Sequence, residues 1–222
     1  MSFNIAIDGP AGAGKSTIAK KIAAKLGFIY VDTGAMYRAM GLFFDKHQAD
    51  VNDEEQISAL AEKAEVTLRY ENGIQKVILN GEDVSGMIRT QKAADMASAT
   101  SRYGAVRSKL TATQKKIAAE NDVVMDGRDI GTAVLPHAQL KIYLTASVEK
   151  RAERRYGELQ EKGEQNLDID QIAAEIAARD HQDMTRAIAP LCQAEDAILV
   201  DSSDMGIEEV TAVIEGLYEE RK

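Results

Sequence analysis

Gly9-Pro10-Ala11-Gly12-Ala13-Gly14-Lys15-Ser16 fits the spacing G-x-x-x-x-G-K-[ST], and Thr17 follows it. Glycines at these positions let backbone N–H groups wrap anionic oxygens, and a helix opening at Lys15 adds partial positive charge. In this reading Lys15 reaches terminal phosphates and Ser16 ligates Mg2+. The preceding Ile5-Ala6-Ile7 is strand-like, which is the setting the motif requires. Two rivals fail on residues. A dinucleotide fingerprint needs a third glycine where Lys15-Ser16-Thr17 stands, and a guanine-specific Asn-Lys-x-Asp cannot form because no Asn-Lys pair occurs. ATP as phosphoryl donor is the expectation.

Phosphoryl transfer is mostly positioning and charge neutralisation, so an acceptor site should show arginines aimed at phosphate. Arg38 lies one turn into the helix opened by Asp32-Thr33-Gly34. Asp126-Gly127-Arg128-Asp129 closes an apolar strand, where a parallel sheet binds its ligands. Asp126 suits a Mg2+ shell, directly or through water, whereas Arg128 and Asp129 either bind substrate or pair with each other. Over 170–188, the apolar stripe of Ile172 and Ile176 continues at helical spacing to Arg179, Asp183 and Arg186, which predicts inward charges. Arg151, Arg154 and Arg155 share one face of the helix at 148–160, ahead of a polar, glycine-containing loop at 157–165. That is the pattern of a lid carrying arginines over transferring phosphates, the alternative being a solvated face with Glu149 and Glu153 as partners.

Five apolar runs, at 3–7, 28–31, 123–125, 140–144 and 197–200, read as buried strands alternating with helices. Those helices are expected at 15–26, 34–45, 54–63, 90–101, 106–120, 148–160, 170–188 and 207–220. The alternation predicts an α/β fold with a mainly parallel sheet. Strand-like runs at 66–70 and 74–79, with Glu71-Asn72-Gly73 between them and Asn80-Gly81 after, predict an antiparallel insertion over about 65–84.

Composition narrows the class. The 222 residues hold 27 Lys+Arg against 36 Asp+Glu, a net charge of −9, which argues against nucleic-acid or anionic-membrane binding. No apolar run approaches a membrane span, and MSFNIAIDGP lacks the features of a signal peptide, so a cytoplasmic chain is expected. Cys192 is the single cysteine, which excludes a disulfide framework. His47, His137 and His181 lack metal-ligand spacing and read as structural. With no apolar seam in the helices, a monomer is expected.

GPAGAGKST, DTGAMYR, GEDVSGMIRT, DGRDIGTAV, SVEKRAERR and RDHQDMTRAIAPL, in order from residue 9 to 191, closely resemble the bacterial cytidylate kinase family of nucleoside monophosphate kinases. The resemblance implies a three-layer P-loop fold with a five-stranded parallel sheet, a small antiparallel insertion in the acceptor region, and a lid. It implies one catalytic unit: core 1–31, 85–147 and 190–222, acceptor region about 32–84, lid about 148–166. Gly9–Thr17 would hold ATP, with Mg2+ on Ser16 and Asp126. The acceptor CMP or dCMP would meet Thr33, which stands where some members carry Ser, with Arg38 and Arg128 on its phosphate. Ser98, Arg107 and Asp129 would read cytosine, and Arg179, Asp183 and Arg186 would serve the sugar and neighbouring groups. Ser98 and Arg107 rest on the resemblance alone. Lys15, Arg128, Arg151 and Arg155 would supply the catalytic positive charge.

Overall fold

The computed structural model describes residues 2–71 and 73–222. In chain order the elements are β1 (Asn4–Asp8), α1 (Lys15–Leu26), β2 (Ile29–Asp32), α2 (Thr33–Lys46), α3 (Glu54–Lys63), β3 (Val66–Glu71), β4 (Ile74–Leu79) and β5 (Glu82–Asp83). They continue with α4 (Gln91–Thr100), α5 (Gly104–Glu120), β6 (Val123–Gly127), a π turn (Ile130–Val134), β7 (Leu140–Thr145), α6 (Val148–Glu161), α7 (Ile169–Thr185), β8 (Ile198–Asp201) and α8 (Ile207–Glu219). A five-stranded parallel sheet has the order β2-β6-β1-β7-β8, and a separate antiparallel sheet has the order β3-β4-β5. Because β6 and β7 flank β1, the chain reverses its direction of travel across the sheet at the carboxyl end of β1. A ligand crevice belongs at such a reversal.

Contacts divide the chain into two units, residues 3–28 with 124–222, and residues 29–123. In the first, β1 and β7 pair in parallel with Ile5 opposite Leu140 and Ile7 opposite Ile142, and these four side chains are buried. Phe3, Phe28 and Tyr218 pack edge-on or tilted at one end of this unit. Helices α6 and α7 bury Ala152, Leu159, Ile172 and Ile176 between them.

In the second unit, α2 buries Met36, Met40, Phe43 and Phe44, a helical-period stripe, against Val66, Val77 and Leu79 of the small sheet and Val106 and Leu110 of α5. The β3–β4 pairing runs from Val66 opposite Leu79 to Glu71 opposite Ile74. The expected turn between them includes Asn72, which lies outside the described residues. At the next turn Asn80 and Gly81 both sit at positive φ (48° and 86°), the conformation a two-residue hairpin turn demands. Side-chain caps start several helices: Asp32 for α2, Asp53 for α3, Thr90 for α4, Ser147 for α6 and Asp168 for α7.

Three local expectations are corrected. The stretch at 157–165 is not a loop throughout, because α6 runs on to Glu161 so that Leu159 can pack on Ile172 and Ile176. Helix α7 stops at Thr185 rather than 188, and Arg186 is extended (ψ 143°). Pro190 follows closely, and Ala189 before it takes a positive φ of 47°, so the segment turns away from the helix. The π turn and the two-residue β5 had no counterpart in the sequence reading.

Gly41 marks a close contact between α2 and α4 in the second unit. A Cβ there would lie 2.7 Å from the Ala93 carbonyl oxygen and 2.8 Å from the Ala97 nitrogen, both backbone atoms of α4. Gly41→Ala should therefore lower unfolding stability by about 1–3 kcal/mol despite its better helix propensity. Gly216→Ala in α8, where nothing lies within 4 Å, should instead raise it by about 0.5–1 kcal/mol. Urea unfolding of both variants checks this, and equal effects at the two sites would contradict the packing described.

Candidate active site

The loop between β1 and α1 is shaped by one backbone approach. At Gly9 φ is 148°, and a Cβ would sit 1.9 Å from the carbonyl oxygen of Leu144 in β7, so only glycine fits. Helix α1 then starts at Lys15 behind Gly14 with no side-chain cap, which leaves its first amides for an anion. Lys15 is buried, and its Nζ donates to the Pro10 carbonyl oxygen at 2.6 Å. Burial holds the Lys15 pKa well below its ordinary value, with Arg128 adding to that and Asp126, Asp8 and Asp183 opposing it.

Ser16 Oγ donates to Asp126 Oδ2 at 2.8 Å. These are hard oxygen donors, and their spacing is close to the ~2.9 Å edge of an octahedron with Mg–O bonds of about 2.0–2.1 Å. The pair fits Mg2+. Among the described residues no group of three His, Cys, Asp or Glu side chains forms a metal cage. A Mg2+ ion here would thus take most of its ligands from phosphate and water, as this ion commonly does.

Beyond β6 the charges alternate in sign. Arg128 Nε donates to Asp183 Oδ2 at 2.9 Å, and Arg186 reaches Asp183 Oδ1 at 3.5 Å and Asp129 Oδ1 at 3.4 Å. Arg186 is also held by the Ala189 carbonyl at 2.8 Å. Asp129 and Asp183 are buried. The structure thus joins Arg128, Asp129, Asp183 and Arg186 in one cluster, but Arg186 arrives from the extended segment after α7. Arg179 is a correction: it is exposed, and the buried stripe is Ile172, Ile176, Asp180 and Asp183.

The α6 arginines share a face but have different partners. Arg151 is buried and donates to Ala146, Ala11 and Asp180. Arg154 donates to the hydroxyl and carbonyl oxygens of Ser202. Arg155 is more exposed and pairs with Glu158 at 3.2 Å.

In the second unit Asp32 serves twice, capping α2 through Oδ1 to the Ala35 amide and binding Arg38 through Oδ2 at 3.2 Å. Its own amide donates to Gln75 of β4, so the small sheet steadies this corner. Thr33 is buried beside it. Arg107 is buried in α5, with its guanidinium 5.7 Å from the centre of the Tyr37 ring and Nη1 donating to the Ser101 carbonyl at 3.1 Å. The Ser101 hydroxyl in turn donates to the Ser98 carbonyl at 2.9 Å. The candidate residues therefore fall into two sets, one in each unit. His47 makes a bond to the Phe43 carbonyl, and Cys192 is exposed.

Sequence reasoning missed Asp8 and Asp180. Asp8 is buried at the end of β1, and its two oxygens accept from the amides of Ile130 (2.8 Å) and Gly131 (2.7 Å), the first residues of the π turn after Arg128-Asp129. A carboxylate closing an otherwise apolar strand was the available signal. Burial pushes the Asp8 pKa up to about 6, the two amides oppose this, Asp129 adds to the rise, and Lys15 opposes it. With the folded value raised, the contribution of Asp8 to stability is complete below its ordinary pKa and is lost as pH rises through about 6. Carboxyl-carbon NMR of the nucleotide-free protein should show Asp8 titrating near pH 6; a midpoint at 4 or below would contradict this account.

The family model described as cytidylate kinase matches residues 5–220. A cytidylate kinase of Shouchella clausii is 50% identical over 98% of this chain and 96% of its own length. That of Caldicellulosiruptor bescii is 48% identical over 97% and 95% respectively. Among solved structures, a crystal structure of an uncharacterized protein from Eubacterium ventriosum superposes with a TM-score of 0.52 at 12% identity, covering 99% of this chain and all of that one, a likeness of fold alone. With a family match spanning both units and the loop, sheet and charge cluster described above, this chain belongs to the cytidylate kinase family.

Proposed function

We propose that the protein transfers the γ-phosphoryl group of ATP to CMP or dCMP, forming ADP and CDP or dCDP. A phosphate oxygen of the acceptor forms a bond to the γ-phosphorus as the bond from that phosphorus to the ADP oxygen breaks. The observation that carries this reading is the single unit in which Lys15 and the Ser16–Asp126 pair accompany the Arg128–Asp183–Arg186–Asp129 cluster. A nucleotide switch has no need of that second charged site.

The chemistry follows from charge. The acceptor phosphate is largely dianionic near pH 7, so the chain need supply no strong general base. Lys15 leaves the Pro10 carbonyl for the terminal phosphates of ATP, and the loop Gly9–Thr17 holds the chain of phosphates through amides other than that of Ala11, which donates to Asp180. Mg2+, held by Ser16 and Asp126, neutralises charge on the phosphate oxygens when bound. Arg128 and Arg38 take the acceptor phosphate. Arg155, which sits at the surface, can turn onto phosphate without stripping a buried carboxylate of its partner.

Base and sugar recognition are assigned to Thr33, Ser98, Arg107, Asp129, Arg179, Asp183 and Arg186. Cytosine offers an amino donor beside ring acceptors, so a carboxylate and an arginine together distinguish it from uracil. We assign the acceptor region to about 32–84 and the lid to about 148–166. The acidic surface, with net charge −9, fits a cytoplasmic monomer acting on small nucleotides rather than on nucleic acid. No helix among the described residues is long and apolar enough to cross a membrane.

ADP formation with ATP and Mg2+ should be strongly stimulated by CMP and dCMP and little by UMP or AMP; acceptor-independent hydrolysis would overturn the reading. Lys15→Ala should reduce transfer by about 10²–10³-fold with an unchanged circular dichroism spectrum. Arg38→Ala should raise the KM for CMP about tenfold or more and leave that for ATP within twofold. An effect on ATP alone would move Arg38 out of the acceptor site.

A further inference from the structure

Arg151 of α6 and Asp180 of α7 form a buried ion pair, with Arg151 Nη1 to Asp180 Oδ2 at 2.5 Å and both residues less than a tenth exposed. A pair serving only to fasten the two helices would need no further partner, since Ala152, Leu159, Ile172 and Ile176 already pack them together. Both members of this pair also bond the backbone of one loop residue. Asp180 Oδ1 accepts from the Ala11 amide at 3.2 Å, and Arg151 Nη1 donates to the Ala11 carbonyl oxygen at 3.0 Å. Arg151 is itself aimed by its Nε bond to the Ala146 carbonyl at 2.9 Å.

Peptide planarity carries the consequence. In a trans peptide the C=O and the following N–H point in opposite directions. The Pro10–Ala11 plane has its N–H on Asp180, so its C=O faces the other way, where it accepts from Lys15 Nζ at 2.6 Å. The Ala11–Gly12 plane has its C=O on Arg151, so the Gly12 amide points away from that arginine. The arginine stem also limits the loop, since a Cβ on Gly12 would lie 3.3 Å from Arg151 Cβ. Two consecutive peptide planes of the phosphate loop are thus fixed from behind by one ion pair.

We infer that Asp180 and Arg151 act together as positioning residues for ATP, holding the Ala11 peptide groups so that the Gly12 amide and Lys15 meet the donor phosphates. This deepens the proposed function and rests on it for the identity of the donor. It gives Arg151 a role from behind the loop, in place of a swing across the transferring phosphate. Without Asp180, the Pro10–Ala11 plane loses its anchor, and Arg151 loses the carboxylate that balances its buried charge.

The test measures ATP binding by calorimetry in the absence of acceptor, and steady-state kinetics with CMP. Asp180→Asn keeps the shape but replaces one anionic oxygen with a donor facing another donor. It should weaken ATP binding tenfold or more while the KM for CMP stays within twofold. Asp180→Ala and Arg151→Ala should behave alike, and the double variant should be no more than about threefold worse in kcat/KM for ATP than either single one, as groups acting as a unit are non-additive. Should Asp180→Ala fail to fold, the isosteric Asp180→Asn carries the test, with near-ultraviolet circular dichroism reporting the fold. ATP affinity within twofold of the unaltered protein, an equal rise in KM for CMP, or additive losses would overturn the inference. Failure of the unaltered protein to phosphorylate CMP would instead count against the proposed function, and the calorimetric comparison would still stand.

Discussion

Lys15 is a buried cation, and much of the first unit is arranged to make that burial tolerable. An ammonium taken from water costs several kcal/mol unless charge or dipole replaces its hydration. Here the Pro10 carbonyl supplies the direct contact, while Asp8, Asp126 and Asp183 raise its proton affinity against burial and against Arg128. The opposed charges come from the ends of β1 and β6 and from α7. Cations and carboxylates are thus interleaved before a nucleotide arrives, so an incoming anion meets cations already in place. That is electrostatic preorganisation, and it requires the carboxylates as much as the lysine.

The same dependence on close contacts shapes the loop at this end of the sheet. Gly9 passes within a Cβ's reach of the Leu144 carbonyl, and the next residues must curl back to present α1's first amides. A loop of this shape has few bonds of its own, so its form depends on neighbours. Asp8 ties the strand before it to the turn after β6, and the Arg151–Asp180 pair holds its second peptide from the α6–α7 side. The phosphate loop and the turn after β6 are therefore parts of one bonded frame within the first unit.

How much of this was legible in the sequence depended on the range of the interactions. The phosphate loop could be read because its chemistry is local: glycine, lysine and serine at fixed spacing before a helix. The five strands and eight helices were legible for the same reason, their period being written in adjacent residues. The π turn at Ile130–Val134 was not, since its anchor, Asp8, is 122 residues away. In α7 the apolar stripe was followed to Arg179 and not to Asp180, although the two flank it at roughly 40° and 60° on a helix of 3.6 residues per turn. Only tertiary contact decides between them, and Arg151 draws Asp180 inward while Arg179 stays outside. Arg107 could not be found from its neighbours either, because its burial under Tyr37 is a contact between α5 and α2.

Asp180 and Asp183 share one buried face of α7, which thereby joins the phosphate loop to the charge cluster beyond β6. Asp180 serves the donor loop through Ala11, and Asp183, one turn later, serves Arg128 and Arg186. A rigid helix passes a small rotation at one end to the other with little loss, since packed side chains have discrete rather than graded arrangements. If an acceptor phosphate draws Arg128 off Asp183, the helix loses one ionic attachment and keeps the Asp183–Arg186 contact and the Asp180 contacts that shape the phosphate loop. Linkage then demands that whatever the acceptor does to the donor loop, the donor does in equal measure to the acceptor cluster. Coupling of this kind needs no moving domain, only two carboxylates three residues apart on the same buried face of a helix that Ile172 and Ile176 hold.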